Sequence, residues 1–188
     1  PSLAPDALIA EVKRLAGRAL ELSEAFVQSA QAQSKPLELA DGDLRALLVA
    51  ALRDVAPQAL AREVRLELHT GDAATVSAQF DHELLARAVD NLLTNAIKFS
   101  PQRSTVWVGL ESSASGHVLT VRDQGAGMDA QQLTRLFRAY SRAGAAPSAS
   151  GVGLGLQFVR RVADRHAGWV RVDSQPGQDR HYRSADAA

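Results

Sequence analysis

Residues 81–100 read DHELLARAVDNLLTNAIKFS, and the reading of this stretch decides the fold. Leu84, Leu85, Ala88, Leu92 and Ala96 recur in steps that keep them on one side of a helix, which gives an apolar face to set against a core. Asp81 is suited to cap the start, and Pro101 stops the helix just beyond Phe99. Against this pattern stand Asn91, Asn95 and Lys98 at i, i+4 and i+7, a polar stripe containing two poor helix formers. The stripe is either a solvated face or a ligand-binding one. An amide oxygen is a hard, neutral donor that suits Mg²⁺, which keeps waters and phosphate oxygens, and a lysine ammonium meets phosphate as a point charge.

Working outward, Leu8, Val12, Leu15, Ala19, Leu22 and Phe26 form a heptad seam over residues 6–33. Such a helix wants a second helix against it. Gln31 to Pro36 is polar and ends in proline, marking a boundary, so residues 1–35 and 36–188 are expected to be separate units. Beyond it the pattern predicts a short edge strand at 37–39 and a helix over 44–59 capped by Asp41 or Asp43. Strands are expected at 64–68 and 76–80 on either side of a turn at Gly71. After the quoted helix, 105–110 and 117–121 read as an antiparallel hairpin. Residues 124–150 are rich in Gly, Ala and Ser with one short helical patch. A helix over 154–166 and a strand at 169–172 close the pattern. Helices and hairpins are mixed without regular βαβ alternation, so the fold class is α+β, a two-layer sandwich preceded by a long N-terminal helix.

Composition narrows the function classes. The 188 residues carry 21 basic and 21 acidic side chains, so no general charge excess favours a nucleic-acid or acidic-membrane partner, and any anion must be bound locally. Cysteine is absent, which excludes disulfides, thiolate catalysis and cysteine-ligated zinc. No apolar run approaches the roughly 18 residues of a membrane span, and no export signal precedes the first helix. No direct membrane contact is expected.

Two glycine-bearing stretches suggest a phosphate ligand. Gly125 and Gly127 follow Asp123 at a strand end, and GVGLGL at 151–156 opens the helix that runs to His166. Glycines at a helix start let backbone N–H groups approach an anion, although a glycine pair alone is equally a hinge. GxxxxGK[ST] is missing, and GxGxxG fails because Leu156 stands where its last glycine belongs. Asp123 can accept a hydrogen bond from the exocyclic amine of adenine, where guanine presents an oxygen; the alternative is a turn-capping aspartate.

Taken together, DNLLTNAIKFS, VRDQGAGMD, LFRAYSRAG and GVGLGLQFVRRVADRHAGWVRVDS resemble, in order and spacing, the N, G1, F and G2 boxes of sensor histidine kinases, over residues 37–185. The resemblance implies the Bergerat-type sandwich shared with gyrase, Hsp90 and MutL, with ATP and Mg²⁺ as ligands. It implies Asn95 as the Mg²⁺ ligand, Asn91 and Lys98 on the phosphate side, and Phe99 beside the nucleotide. Asp123 would read adenine. Gly125 and Gly127 would hinge the ATP lid, and Gly151, Gly153, Leu154, Gly155 and Leu156 would close it. Phe137, Tyr140 and Arg142 match the F box. ATP-hydrolysing relatives carry a glutamate base where Asn91 stands, and an amide cannot take a proton from water, so γ-phosphoryl transfer to a protein side chain is expected.

The acceptor histidine is expected outside this chain. His82-Glu83 mimics the acceptor box only in letters, since it lies inside the nucleotide helix and lacks the following proline. Residues 6–33 resemble instead the second helix of the dimerisation hairpin, which implies a homodimer through that helix, a response regulator receiver domain as partner, and a cytoplasmic location or the cytoplasmic part of a membrane-bound sensor. A second departure lies at the C-terminal end, where Asp179 and Arg180 stand in place of an expected glycine and threonine. That change puts the last strand and one phosphate contact in question. The competing reading is a degenerate, non-catalytic ATP-domain scaffold acting by dimerisation or partner docking.

Overall fold

A computed structural model describes residues 8–17, 19–20, 23, 36–71, 74–114, 116–136, 155–176 and 180–186. The elements run β1 (Ala40–Asp43), α1 (Leu44–Ala61), β2 (Arg65–His69), β3 (Ser77–Phe80), α2 (His82–Phe99), β4 (Thr105–Ser113), β5 (Gly116–Asp123), α3 (Ala130–Arg135), α4 (Gly155–Arg165), β6 (Trp169–Asp173) and β7 (Arg180–Asp186). Five strands form one sheet in the order β2-β4-β5-β7-β6. β2 runs parallel to β4, and the remaining pairs are antiparallel. β1 and β3 pair separately as a two-stranded ribbon.

One face of the sheet carries the core. Along β4, Val106, Val108 and Leu110 are buried while Thr105, Trp107 and Gly109 are half-buried, the period of two expected of a strand with one covered side. The cover is α1, α2 and α4. Leu93, Ala96 and Ile97 of α2 are completely buried, as are Leu48 of α1 and Val106, Val108 and Val121 of the sheet. The two-layer α+β sandwich expected from the sequence is therefore present.

One expectation needs correction, and two open points are decided. The edge strand is Ala40–Asp43, not 37–39, because its partner Ser77–Phe80 sets the register and Gly42 is drawn against the Phe80 ring. Of the two cap candidates, Asp43 caps α1, accepting from the Arg45 N–H at 2.9 Å. The last strand, in question from the sequence, is formed: β7 fills the gap between β5 and β6, which both supply it with backbone partners.

Of the expected N-terminal helix, residues 8–17, 19–20 and 23 are described, and they are helical. Leu8, Val12 and Leu15 of its seam are 53%, 56% and 51% exposed, so the stripe stands in solvent. Leu22 and Phe26 lie outside the described residues.

Candidate functional site

The polar stripe of α2 meets the first turn of α4. Asn91 is half-buried, and its Nδ2 donates to the Arg87 carbonyl oxygen one turn back at 2.8 Å. Its Oδ1 points to Gly155: a Cβ there would stand 2.5 Å from that oxygen and 3.7 Å from Asn95 Nδ2. A Cβ there would require the end of the Asn91 side chain to shift. Two amides of α2 thus lie beside Gly155, the first described residue of α4.

Lys98 and Phe99 finish α2 together. Lys98 Nζ sits 5.3 Å from the Phe99 ring centroid, while the Lys98 carbonyl accepts from Arg62 Nη1 at 2.7 Å and so ties the helix end to α1. Beside the stripe, burial and then the Asp54 carboxylate on α1 hold the Asp90 carboxyl above its ordinary range.

The second group of candidate residues follows from β5, which packs on α2. Asp123 is completely buried, and its Oδ1 accepts from the Gly125 N–H at 2.7 Å. The aspartate therefore closes a turn, as one reading of the sequence expected, and does so from a buried position. Gly127 has φ of 71°, a left-handed conformation that glycine adopts without strain. The next residue, Met128, is buried and donates its N–H to Ser174 Oγ at 2.9 Å, which pins the loop to the strand end of β6. Asp129 and Gln132 then form a reciprocal capping box that starts α3.

The structure therefore brings Asn91, Asn95 and Gly155 together, sets Lys98 and Phe99 on the same helix, and places Asp123, Gly125 and Gly127 on the adjoining sheet end. Leu156 is half-buried against the core. Phe137, Tyr140, Arg142, Gly151, Gly153 and Leu154 lie outside the described residues. Arg180, a departure from the expected motif, is in backbone register with Asp123. Its position thus neighbours the aspartate end of the site.

Sequence reading missed a second set of contacts between α2 and α4. The Arg87 guanidinium lies 5.8 Å from the Phe158 ring centroid, and the buried His166 Nε2 accepts from the Asp81 N–H at 3.0 Å. Nothing local in the sequence pairs these positions; their signal is the antiparallel run of the two helices.

A family model for histidine kinase-, DNA gyrase B- and HSP90-like ATPases matches residues 80–183, from the strand before α2 into β7. The chain belongs to that ATPase family. Among relatives, it is 33% identical over 148 residues to the alginate biosynthesis sensor protein KinB of Pseudomonas aeruginosa, covering 79% of this chain and 24% of KinB. It is 33% identical over 136 residues to the sensor histidine kinase ZraS of Escherichia coli K12, covering 72% of this chain and 28% of ZraS. The chain thus spans about a quarter of the length of these relatives. Among solved structures, the mycobacterial sensor histidine kinase MprB matches with a TM-score of 0.67 at 29% identity, over 79% of this chain and all of that one. Full-length ShkA in complex with AMPPNP matches the fold with a TM-score of 0.78 at 22% identity, over 100% of this chain and 41% of that one. This member of the ATPase family carries an ATP-binding catalytic domain of the sensor histidine kinase type.

The donor set fits a nucleotide with a hard cation. Among the described residues no three His, Asp or Glu side chains converge. An ion beside Asn95 would draw a neutral amide from the protein and its other ligands from water and phosphate, which is the habit of Mg²⁺. Gly155 leaves a cradle that a Cβ would fill, and the buried Asp123 supplies a carboxylate acceptor at the end of β5. No described helix is long and apolar enough to cross a membrane.

Proposed function

We propose that this chain is the catalytic ATP-binding part of a two-component sensor histidine kinase, which binds Mg-ATP and transfers the γ-phosphoryl group to a histidine outside the chain. The observation that carries the reading is the meeting of Asn91 and Asn95 with Gly155, with the buried Asp123 ending the strand that packs on α2. In this reading Asp123 accepts from the adenine amine, and its fixed turn with Gly125 makes guanine a poor substitute because two acceptors would face each other. Asn95 holds Mg²⁺, Asn91 and Lys98 meet the phosphates, and Phe99 lies beside the nucleotide. Gly125 and Gly127 hinge the lid. Phe137, Tyr140 and Arg142 contribute from the lid segment, and Gly151, Gly153, Leu154, Gly155 and Leu156 close over the phosphates. Bound Mg²⁺ supplies charge neutralisation for in-line displacement at the γ-phosphorus.

Asn91 favours transfer over hydrolysis, because its amide offers no base for water. Its Nδ2 is already engaged with the Arg87 carbonyl, which fixes the orientation of the side chain. The acceptor sits on a partner segment. His82 is exposed at the first turn of α2, stacked on Phe80 with ring centroids 6.1 Å apart, and so belongs to the helix start. Residues 1–35 act as the second helix of a dimerisation hairpin, whose solvent-facing Leu8, Val12 and Leu15 are covered in a homodimer. The ATP-binding domain begins at residue 36. The whole protein hands its phosphoryl group to a response regulator receiver domain in the cytoplasm, either as a soluble protein or as the cytoplasmic part of a membrane-bound sensor.

The test is phosphoryl transfer from γ-labelled ATP to an acceptor helix hairpin supplied with this chain at saturating ATP. An acid-labile phosphohistidine on the hairpin, lost in Asn95→Ala, is expected. Absence of label with ATP demonstrably bound would instead support the scaffold reading.

A further inference from the structure

The contacts between α2 and α4 form an antiparallel ladder. Asn91 meets Gly155 at one end, Arg87 meets Phe158 in the middle, and Asp81 meets His166 at the other. With about 1.5 Å of rise per residue, the stretch from Asp81 to Asn91 is roughly 15 Å and that from Gly155 to His166 roughly 16 Å, so the outer contacts match in length. α4 is therefore pinned to α2 at both ends, and its sliding position is fixed by the two together.

His166 is well suited to be the distal pin. It is buried, and the group facing its Nε2 is a backbone N–H, which can only donate; Nε2 must accept, and Nδ1 then carries the proton and donates to the Val162 carbonyl at 2.8 Å. The ring thus joins α4's own last turn to the backbone at the start of α2. The helix ends just before it, at Arg165, with the Gly168 N–H on the Ala163 carbonyl at 2.8 Å and the Ala167 N–H on the Asp164 carbonyl at 3.2 Å. Asp81 gathers further bonds at the same corner. Its Oδ1 accepts from the Leu84 N–H at 3.0 Å and caps α2, and its Oδ2 accepts from the Glu38 N–H at 3.1 Å, where the chain joins the domain.

We infer that His166 is a positioning residue for the nucleotide site: through its bond to the Asp81 N–H it sets where the start of α4, and hence Gly155, stands against Asn91 and Asn95. The inference rests on the reading of that cleft as the nucleotide site. His166 touches neither amide and acts over the length of the helix, which transmits a shift at one end to the other because its interior is close-packed against α2.

The full chain is compared with His166→Asn and His166→Gln. An Asn side chain reaches only as far as Nδ1 and keeps the bond to Val162 while losing Asp81. A Gln side chain is long enough to place its oxygen where Nε2 stands and keep the bond to Asp81. Asp81 itself is a poor choice for substitution because its carboxylate also caps α2 and holds Glu38. The readouts are the side-chain amide signals of Asn91 and Asn95 in ¹⁵N-resolved spectra without nucleotide, the affinity for Mg-ADP, and the melting temperature. His166→Asn is expected to move both amide signals and weaken Mg-ADP tenfold or more, and His166→Gln to restore most of both. Amide signals and affinity unchanged in His166→Asn, with the wild type binding Mg-ADP, would overturn the inference alone. So would equal losses in both variants that simply track melting temperature. A wild-type chain that fails to bind Mg-ADP would overturn the nucleotide reading and this inference with it.

Discussion

Replacing Gly155 by alanine separates the geometry of the site from the stability of the fold. The new Cβ would stand 2.5 Å from Asn91 Oδ1, about 1 Å inside ordinary contact distance. Gly155 is not in a left-handed conformation, so the backbone itself accepts alanine. The strain falls on the end of the Asn91 side chain or on the start of α4. If Asn91 swings away it gives up its bond to the Arg87 carbonyl, a loss of about 1 kcal/mol. Alanine recovers up to about 1 kcal/mol relative to glycine in a helix. The two nearly cancel, and with about 2–4 °C per kcal/mol for a chain of this size the melting temperature should move by no more than about 3 °C.

The site does not enjoy that cancellation. A displacement of about 1 Å at a positioned group can cost on the order of a hundredfold. Calorimetric titration with Mg-ADP should therefore show affinity falling between tenfold and a hundredfold while the thermal transition barely shifts. Asn91→Ala in the Gly155→Ala background removes the collision, so the double variant should lose less than the sum of the single losses. Affinity within twofold of wild type, or a loss that appears only with a collapse in melting temperature, would refute the steric argument.

Single positions carry further expected outcomes. Ala167, just past the end of α4, has φ of 55°, a conformation costly to any residue with a Cβ, so Ala167→Gly should raise stability by about 1 kcal/mol in denaturant unfolding. Gly42→Ala should do the reverse, since its Cβ would lie 2.6 Å from the tip of the buried Phe80 ring; a loss of about 1–3 kcal/mol is expected in the same assay. The Val76 N–H holds the Asp43 carboxyl below its ordinary range; burial opposes it as the next-largest effect, and the N–H groups of Arg45 and Ala46 add to the lowering. That contribution is fully present above the unfolded-state value near 3.8 and is lost as pH falls through the lowered folded value, so the advantage of wild type over Asp43→Asn in melting temperature should shrink on acidification.

The helical layer was legible in the sequence because its signals are local. Leu84 to Ala96 repeat at the helical period, Asp43 and Asp81 each cap the helix that begins at the next residue, and Asn91, Asn95 and Lys98 interrupt an apolar pattern where a buried helix has no need of amides. The hairpin of β4 and β5 was equally plain from alternation. Structure set by distant partners did not show. β1 reads ADGD and forms only because β3 supplies its register and Phe80 its packing. β7 reads RHYRSAD, with no strand pattern of its own, and is secured by pairing on both sides. His166 obeyed the same rule: its partner lies at Asp81, on the far side of the nucleotide helix, and no spacing within residues 154–168 points there.

The central claim is that the cleft between α2, α4 and the end of β5 takes Mg-ATP with Asp123 reading the base and Asn95 holding the ion. Its most direct test is calorimetry of the full chain with ATP and GTP, with and without Mg²⁺, beside Asn95→Ala and Asp123→Asn. Binding of ATP that depends on Mg²⁺, exceeds that of GTP, and is lost in both variants is the predicted result. ATP binding left unchanged by Asn95→Ala and Asp123→Asn would contradict the account.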